Sequence, residues 1–457
     1  MKPNSTLHLL RAYESRNVTF TESDGSWPIV WRRAKGVHVW DEQGKRYLDL
    51  TAAFGVAAAG HANARVVAAG RNQMGRLLHA MGDVHPHRLK AELARQLSRI
   101  TFERWTASAP GRGVALTAKT IFCNSGFEAV EAALKSARLA TGKPGVIAFE
   151  GAYHGLGYGA LNTTHRSHFR AAFRDQLREF ATFVPFPVAA FAGPGAELRG
   201  EQATLQSKSQ SLESLASLIR RLFKTKTVGA ILVEPVQVRG GIQVPPPELL
   251  SLLRKLCNAY GAVLILDEIY TGFGRTGKWF ACEHSKVVPD IICLGKALTG
   301  GFPLSACVGR AELMDQAWPP SSGEAIHTST FLGHPVGCAM SLANIQEIKK
   351  RRLVQRSAEL GALLLSGLAE IATTPAKSAA LQLRARGLGL LAGLELLHAD
   401  GSPATKPALR IIKRLLHRGF ILLPEGEHAN VISFAPPLTI SESQLRATLT
   451  ELRDAFS

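Results

Sequence analysis

The amino-acid sequence predicts an α/β fold with a mostly parallel sheet, and three observations support this. Short apolar runs alternate with segments of helix length through the middle of the chain. These runs are apolar almost throughout, as expected of strands that are covered on both faces. The 457 residues, of which 46% are hydrophobic and 20% charged, suffice for two or three domains and exclude collagen, whole-chain disorder and a disulfide scaffold.

The individual elements follow from local patterns along the chain. Residues 1–35 are polar and irregular, whereas residues 37–50 alternate around a DEQGK turn as a hairpin does. A helical pattern covers residues 64–100. The predicted strands of the sheet are 119–123, 146–149, 229–236, 262–268, 290–295 and 305–309, with helices such as 128–140 and 247–261 between most of them.

The second half of the chain indicates a change of architecture. Residues 193–211 are polar and rich in small side chains, which favours a surface loop or insertion. From Pro335 the pattern indicates a separate α+β domain. It consists of two long helices, strands at 381–397, 420–423 and 431–434, and helices at 405–418 and 441–456.

The charge and cysteine content limit the partners and the location of the protein. The net charge of +18 could favour nucleic acid, an anionic membrane or acidic ligands. The densest basic run, residues 348–353, lacks aromatic residues and reads as a solvated helix face, so a nucleic-acid-binding protein is only an alternative. The six cysteines form no CxxC pair, which favours reduced thiols in the cytoplasm. Neither a signal peptide nor a stretch of 18 apolar residues is present, so we expect no membrane partner.

Four motifs stand at the ends of predicted strands, where ligands bind in such sheets. The first, NSGFEA (124–129), joins a strand to a helix start whose free N–H groups suit a phosphate. The second, LILDEIYTGFGRTG (264–277), places Asp267 directly after an apolar run, where a carboxylate needs a partner. An aspartate that caps the following helix is the alternative.

The third and fourth motifs supply an amine and an aromatic ring. Lys296 follows an apolar strand, and a desolvated lysine can form a Schiff base with a carbonyl compound. The alternative is a lysine that extends its ammonium group to solvent. In EGAYHG (150–155), Tyr153 could cover a flat ligand, although a Tyr-His pair in a loop is usually structural. Together the four motifs supply the parts needed to bind pyridoxal phosphate.

With these motifs the sequence resembles the class III pyridoxal-phosphate aminotransferases, which include ornithine, acetylornithine, 4-aminobutyrate and ω-amine transaminases. The resemblance extends from about Val37 to Arg453. It depends on the LILDEIYTGFGRTG block, on Lys296 29 residues after Asp267, and on TFLGHP (330–335). It implies fold type I and a homodimer with shared active sites. The implied domains are a large cofactor domain (61–334) and a small domain built from both chain ends (1–60 and 335–457).

The resemblance also implies a role for each residue at a matching position. Lys296 would hold the cofactor covalently and transfer protons, and Asp267 would pair with the pyridine nitrogen. No metal is expected. The other implied cofactor contacts are Ser125, Gly126 and the Phe127 backbone at the phosphate, Tyr153 on the ring with His154 supporting it, Ile269 under the ring, Glu234 and Tyr270 near the ring oxygen, and Thr330 at the phosphate from the partner subunit.

Four positions bear on the substrate. Arg386 matches the family arginine that receives an α-carboxylate, and Arg239 stands where ornithine and 4-aminobutyrate members have a glutamate that gates it. Leu156 replaces an arginine of the 4-aminobutyrate and acetylornithine types, and Phe54 brings a bulky ring near the amine. Because two nearby guanidinium groups repel unless they share an anion, we expect Arg386, with or without Arg239, to receive an α-carboxylate. Alternatively, Arg239 points to solvent or pairs with an acid such as Glu234.

The predicted function is transfer of an amino group from an amino acid or primary amine to a 2-oxo acid, pyruvate or 2-oxoglutarate, in two half-reactions. An amino-acid racemase or epimerase on the same fold is the alternative, because it would use the same cofactor and reprotonate the substrate α-carbon. Product analysis distinguishes the two, since a racemase needs no 2-oxo acid.

Overall fold

The computed structural model describes residues 5–22, 26–107, 115–188, 201–373 and 381–456. Its helices are α1 (Ser5–Tyr13), α2 (Ala52–Gly55), α3 (Ala64–Met74), α4 (Arg88–Ser98), α5 (Arg104–Thr106), α6 (Gly126–Thr141), α7 (Tyr158–Thr163), α8 (Ser167–Arg170), α9 (Glu201–Thr225), α10 (Leu249–Tyr260), α11 (Ala311–Ala317), α12 (Pro335–Lys350), α13 (Leu353–Thr373), α14 (Thr405–His417) and α15 (Glu442–Ala455). Its strands are β1 (Trp31–Lys35), β2 (His38–Asp41), β3 (Arg46–Asp49), β4 (Ala118–Cys123), β5 (Gly145–Phe149), β6 (Ala181–Val184), β7 (Val228–Val233), β8 (Val263–Asp267), β9 (Ile291–Leu294), β10 (Ser305–Arg310), β11 (Leu381–Leu388), β12 (Leu391–His398), β13 (Phe420–Ile421), β14 (Leu423–Glu425) and β15 (Val431–Phe434).

The large sheet has seven strands in the order β4-β10-β9-β8-β7-β5-β6. All neighbours from β9 to β6 are parallel, whereas β10 runs antiparallel to both β4 and β9. Because β4 and β9 both run antiparallel to β10, β4 points the same way as β9. The carboxyl ends of β4, β5, β7, β8 and β9 therefore meet at one edge, and the predicted, mostly parallel α/β sheet is confirmed.

The apolar strands form because both faces of the sheet are covered. Val263 and Ile265 of β8 belong to a buried cluster with residues of α6, whereas Leu264 and Leu266 belong to a second cluster with residues of α10. Side chains alternate between the two faces of a strand, so a strand covered on both faces must be apolar throughout. Helix α10 ends at Tyr260, and the next residue, Gly261, has a φ of 60° that suits a left-handed helix cap.

Two four-stranded sheets complete the fold. The first has the order β1-β2-β3-β13 and contains the hairpin predicted for residues 37–50. Its last strand, β13, pairs in parallel with β3, so the C-terminal part of the chain joins the N-terminal part. The second sheet has the order β11-β12-β15-β14. The domain boundaries drawn after residues 60 and 334 stay predictions.

Several element predictions were wrong in detail. Residues 1–35 are not irregular throughout, because they contain α1 and β1. The helical pattern at 64–100 is two helices, since Gly75 follows α3 and Pro86 precedes α4, and both residues interrupt helices. The sequence did not indicate β6, whose four residues are too few to show a period.

The loop predicted at 193–211 is also wrong in part. Residues 193–200 lie outside the described residues, but residues 201–211 belong to α9. Residues 201–211 are mostly good helix formers. The helix that buries Leu215, Ile219 and Leu222 therefore extends back through this polar segment. In the part of the chain that the structure describes, no helix is both long and apolar enough to cross a membrane.

Candidate active site

A cleft of about 690 Å³ lies at the edge where the carboxyl ends of the large-sheet strands meet. Its walls include residues that follow β5, β7, β8 and β9. Every site residue predicted from the sequence lines this cleft, except Ser125, Thr330 and Arg386. The structure therefore brings most of the predicted residues into one cavity.

Lys296 begins a short 3₁₀ helix just after β9 and reaches into the cleft. Its φ of 34° lies in the left-handed region, which is strained for a residue with a side chain and is found at functional sites. Its Nζ lies 5.1 Å from the centroid of the Tyr270 ring. Burial lowers the pKa of the amine, and the negative charge of Asp267 opposes this shift. A lysine in this environment is more readily a neutral nucleophile.

Asp267 is the last residue of β8, and its carboxylate is buried and fixed at both oxygens. The Nδ1 of His154 lies 2.8 Å from Oδ2, and Oδ1 accepts the N–H of Ile269 at 3.1 Å. The backbone N–H of His154 donates in turn to the hydroxyl of Thr164. The carboxylate is therefore held in one orientation at the cleft wall.

Glu234 follows β7 and ties the loop after β5 to the sheet. Its carboxylate accepts the backbone N–H of Tyr153 at 3.0 Å and that of Val238 at 3.4 Å. Burial raises the pKa of Glu234 to about 7, with His154 opposing and Asp267 adding to the shift. Tyr153 also packs edge-on against Phe169, with ring centroids 5.4 Å apart. These contacts fix the Tyr153 ring beside the cleft.

The turn between β4 and α6 is held by a carboxylate and leaves one buried hydroxyl without a partner. The carboxylate of Glu128 accepts the backbone N–H groups of Asn124 and Ser125, at 2.6 and 3.2 Å. The Oγ of Ser125 is buried and has no partner among the described residues. A Cβ on Gly126 would lie 3.1 Å from Ile269 Cδ1, so glycine permits the close packing of these two residues. This helix start suits an anion.

Arg239 lines the cleft and pairs with Glu425, a residue that the sequence reasoning missed. The Arg239 Nη1 lies 3.3 Å from Oε1 and 3.2 Å from Oε2 of Glu425. The Arg239 guanidinium carbon is 5.6 Å from the centroid of the Tyr153 ring. Glu425 lies in LLPEGEH, which resembles any polar turn, and no signal in the sequence indicates its partner.

The structure places Arg386 away from the cleft lining. Its Nη1 donates to Glu395 at 2.7 Å, and its Nε and Nη2 donate to the carbonyl of Gly241 at 2.9 and 2.6 Å. Nε also donates to the carbonyl of Ile242. In this arrangement Glu395 neutralises Arg386, and the expected role of Arg386 in receiving a substrate carboxylate stays a prediction.

Apolar side chains also line the cleft. Phe54 and Leu156 are about half exposed there. The backbone from Ala52 to Phe54 is left-handed at all three residues, and Phe54 lines the cleft. Thr330 is exposed and does not line this cleft. The apolar side chains on the cleft wall that the sequence reasoning missed are Ala53, Val56, Val236 and Val238.

Comparisons with known proteins agree with this geometry. A family model described as aminotransferase class-III matches residues 19–456. The 5-aminovalerate aminotransferase DavT of Pseudomonas aeruginosa is 36% identical over 438 residues, covering 94% of this chain and 93% of the relative. An acetylornithine aminotransferase of Methanosarcina mazei is 34% identical over 431 residues, covering 94% and 92%. The ω-transaminase of Pseudomonas jessenii in complex with PMP superposes with a TM-score of 0.84 at 28% identity, covering 98% and 96%.

Proposed function

Because the chain belongs to the class III aminotransferases, a pyridoxal-phosphate-dependent family, we propose that amino transfer takes place in the described cleft with Lys296 and Asp267 as its catalytic residues. The observation that carries this assignment is that the partly buried Lys296 and the fixed Asp267 carboxylate line one cavity. The comparisons support transamination and favour neither a racemase nor a nucleic-acid-binding protein.

The residues of the cleft fit pyridoxal phosphate. The buried Ser125 hydroxyl without a partner, at the start of α6, suits a phosphate. The fixed Asp267 carboxylate suits a protonated ring nitrogen. We assign Ser125, Gly126 and Phe127 to the phosphate, Tyr153 with His154 to one face of the ring, Ile269 to the other face, and Glu234 and Tyr270 to the side of the ring oxygen.

The cofactor supplies an acceptor for the electrons released at the substrate carbon. The Lys296 Nζ would take a proton from that carbon and deliver it to the cofactor carbon from which the lysine had been displaced, and its lowered pKa favours the neutral amine that accepts the proton. Asp267 would hold a proton at the ring nitrogen, and His154 keeps the Asp267 carboxylate oriented. Positioned acid–base groups of this kind contribute roughly 10²–10⁴-fold to rate.

Product analysis of the purified enzyme tests the proposed function. A panel of amino acids and primary amines is supplied with pyruvate or 2-oxoglutarate. For at least one donor, we expect alanine or glutamate to form in the same amount as the carbonyl product of that donor. Interconversion of amino-acid enantiomers without any 2-oxo acid, and without amino transfer, would identify a racemase instead.

We further propose a cytoplasmic homodimer with shared active sites. The six cysteines are free and buried, in keeping with a reducing compartment. Thr330 lies outside its own cleft, and large apolar side chains near it in sequence are exposed, which favours a covering partner. The exposed apolar side chains near Thr330 in sequence are Ile326 and Phe331. Others lie on the segment after α3, namely Leu77, Leu78, Met81 and Val84.

Mixed dimers test whether Thr330 crosses to the partner. One subunit carries Lys296→Ala and the other Thr330→Ala, with different affinity tags. If Thr330 crosses, one site of the mixed dimer carries both defects and the other carries neither. We therefore expect the active site of the mixed dimer to bind cofactor as tightly as the wild type does.

The control for this experiment pairs Lys296→Ala with Ser329→Ala, a substitution at an adjacent exposed position. Cofactor affinity is measured by titrating cofactor-depleted dimers and following recovery of activity. If the active site of the Thr330 mixed dimer binds cofactor as weakly as the Thr330→Ala homodimer does, Thr330 serves its own chain.

A further inference from the structure

Two histidines occupy the N-cap positions of α4 and α12, two helices that pack against each other. His334 precedes α12, and its Nδ1 accepts the backbone N–H of Val336 at 3.3 Å. His87 precedes α4, and its Nδ1 accepts the backbone N–H of Lys90 at 3.3 Å. A ring nitrogen that accepts a hydrogen bond carries no proton, so both imidazoles are neutral in this arrangement.

The Thr330 segment, residues 328–334, is attached to residues 79–90 through one of these histidines. Because the Nδ1 of His87 accepts, the proton of the neutral ring is on Nε2, which donates to the carbonyl of Gly333 at 2.7 Å. His87 therefore uses both ring nitrogens. One caps α4, and the other holds the Thr330 segment.

Other contacts join the same two parts of the chain. The ring centroid of His334 lies 6.1 Å from that of His79 and 6.1 Å from that of Phe331, and the His79 and Phe331 centroids are 5.4 Å apart. At the other end of the Thr330 segment, the hydroxyl of Thr328 donates to Asp83 at 2.5 Å. The segment is therefore fixed at both of its ends.

Protonation of either N-cap ring would weaken this arrangement. An imidazolium has no acceptor, so the helix would lose its cap, and the new charge would lie at the positive end of the helix dipole. Burial lowers the pKa of His334, and the charges of His79 and His87 lower it further. Because this pKa is lowered in the folded protein, the stabilising contribution of His334 is complete above the usual value of about 6.5 and is lost as the pH falls below it.

The other titratable groups around the two rings do little to offset a positive charge. Lys90, in the first turn of α4, adds a cation, and burial lowers its pKa. The Cys338 thiol, in α12, stays neutral because burial raises its pKa to about 12. The carboxylate of Asp83 acts on Lys90 but is exposed. Arg88 and Glu92, on the outer side of α4, pair with each other.

Resting on the proposed function, we propose that His334 and His87, in their neutral forms, are positioning residues that hold Thr330 at the phosphate of the cofactor, and that protonation of the two rings releases this contact. Both rings lie outside the lining of the cleft, so they act through the Thr330 segment. The enzyme therefore holds its cofactor less tightly below about pH 6.5.

Cofactor release from the holoenzyme tests the proposal without turnover. Holoenzyme is equilibrated at about pH 8 and about pH 5.5, on either side of the usual histidine pKa, and free cofactor is separated by ultrafiltration and measured by absorbance. The quantity compared is the ratio of the two dissociation constants, because acid protonates the cofactor phosphate equally in every variant.

His334→Asn keeps an N-cap acceptor that acid does not protonate. We expect its ratio to be about 5-fold or more below the wild-type ratio, since the acid-dependent loss of the cap is removed. His87→Asn also keeps a cap and should lower the ratio in the same direction. His334→Ala lacks the acceptor at every pH and should bind cofactor several-fold more weakly than the wild type already at about pH 8.

The matched control is His85→Asn, because His85 is exposed on residues 79–90 and is not the cap of α4. Its ratio should equal that of the wild type. The proposal is overturned if either His334→Asn or His87→Asn keeps the wild-type ratio, or if His334→Ala binds cofactor normally. Thermal unfolding confirms that each variant is folded.

A second background shows whether the effect passes through Thr330. In Thr330→Ala protein, the further substitution His334→Asn should leave the ratio unchanged, because the contact that His334 positions is already missing. An effect of undiminished size there would contradict the positioning role. Failure of the proposed function itself would look different, because the wild type would then transfer no amino group from any donor while cofactor release and its pH dependence could still be measured.

Discussion

Replacing Lys296 by alanine is expected to reduce the rate of amino transfer by roughly 10⁴-fold or more, to the limit of detection. The reason is that one side chain both attaches the cofactor and moves the proton, so no neighbour can substitute for it. The fold should persist, because the substitution removes a partly buried amine and because alanine, like lysine, has a Cβ at this position with a φ of 34°. Initial rates and thermal unfolding measure the two effects.

Lys278→Ala is the control for this substitution, since Lys278 is exposed and lies outside the cleft lining. It should retain the wild-type rate. A Lys296→Ala protein that kept more than a few percent of the wild-type rate would show that another group performs the chemistry. Loss of the thermal transition would show instead that the variant is unfolded.

Asp267→Asn is expected to lower the rate by orders of magnitude and to weaken cofactor binding. Asparagine has a similar shape, but it lacks the charge that keeps a proton on the ring nitrogen. The amide NH₂ group also replaces one of the two carboxylate oxygens. Either His154 or the N–H of Ile269 therefore faces a donor instead of an acceptor. The measurements are kcat and a cofactor titration followed by absorbance.

The control is Asp290→Asn, at the start of β9 and therefore at the opposite edge of the sheet. Asp290 is buried like Asp267 and pairs with Arg254 and Arg310. Its loss should lower thermal stability and leave the amino-transfer rate nearly unchanged. Wild-type kinetics in Asp267→Asn would mean that a different residue faces the ring nitrogen.

The sequence predicted the large sheet and the inner part of the cleft because both depend on local patterns. Buried parallel strands must be apolar on both faces, and the residues just after them carry the site. Asp267, Lys296 and Glu234 each lie within two residues of a strand end. The antiparallel direction of β10 could not be predicted, since a buried strand has the same composition in either direction.

The contacts that tune the cleft were not predictable in the same way. Arg239 and Glu425 are 186 positions apart in the chain, and the pairing of Arg386 with Glu395 depends on the register of β11 and β12. A local pattern shows that an arginine is present but not which acid neutralises it. The register of these two strands therefore identifies Glu395 as the partner of Arg386, and the carboxylate role of Arg386 stays a prediction.

The most direct measurement maps the covalent attachment of the cofactor during the reaction. The holoenzyme is reduced with borohydride and digested, and the peptides are analysed by mass spectrometry. We expect a pyridoxyl-phosphate mass on the peptide that contains Lys296. Excess amino donor added before reduction should abolish this label, and a 2-oxo acid added after the donor should restore it. A label on a different lysine, or a Lys296 label that the donor does not diminish, would contradict the assignment of Lys296 and of amino transfer to this cleft.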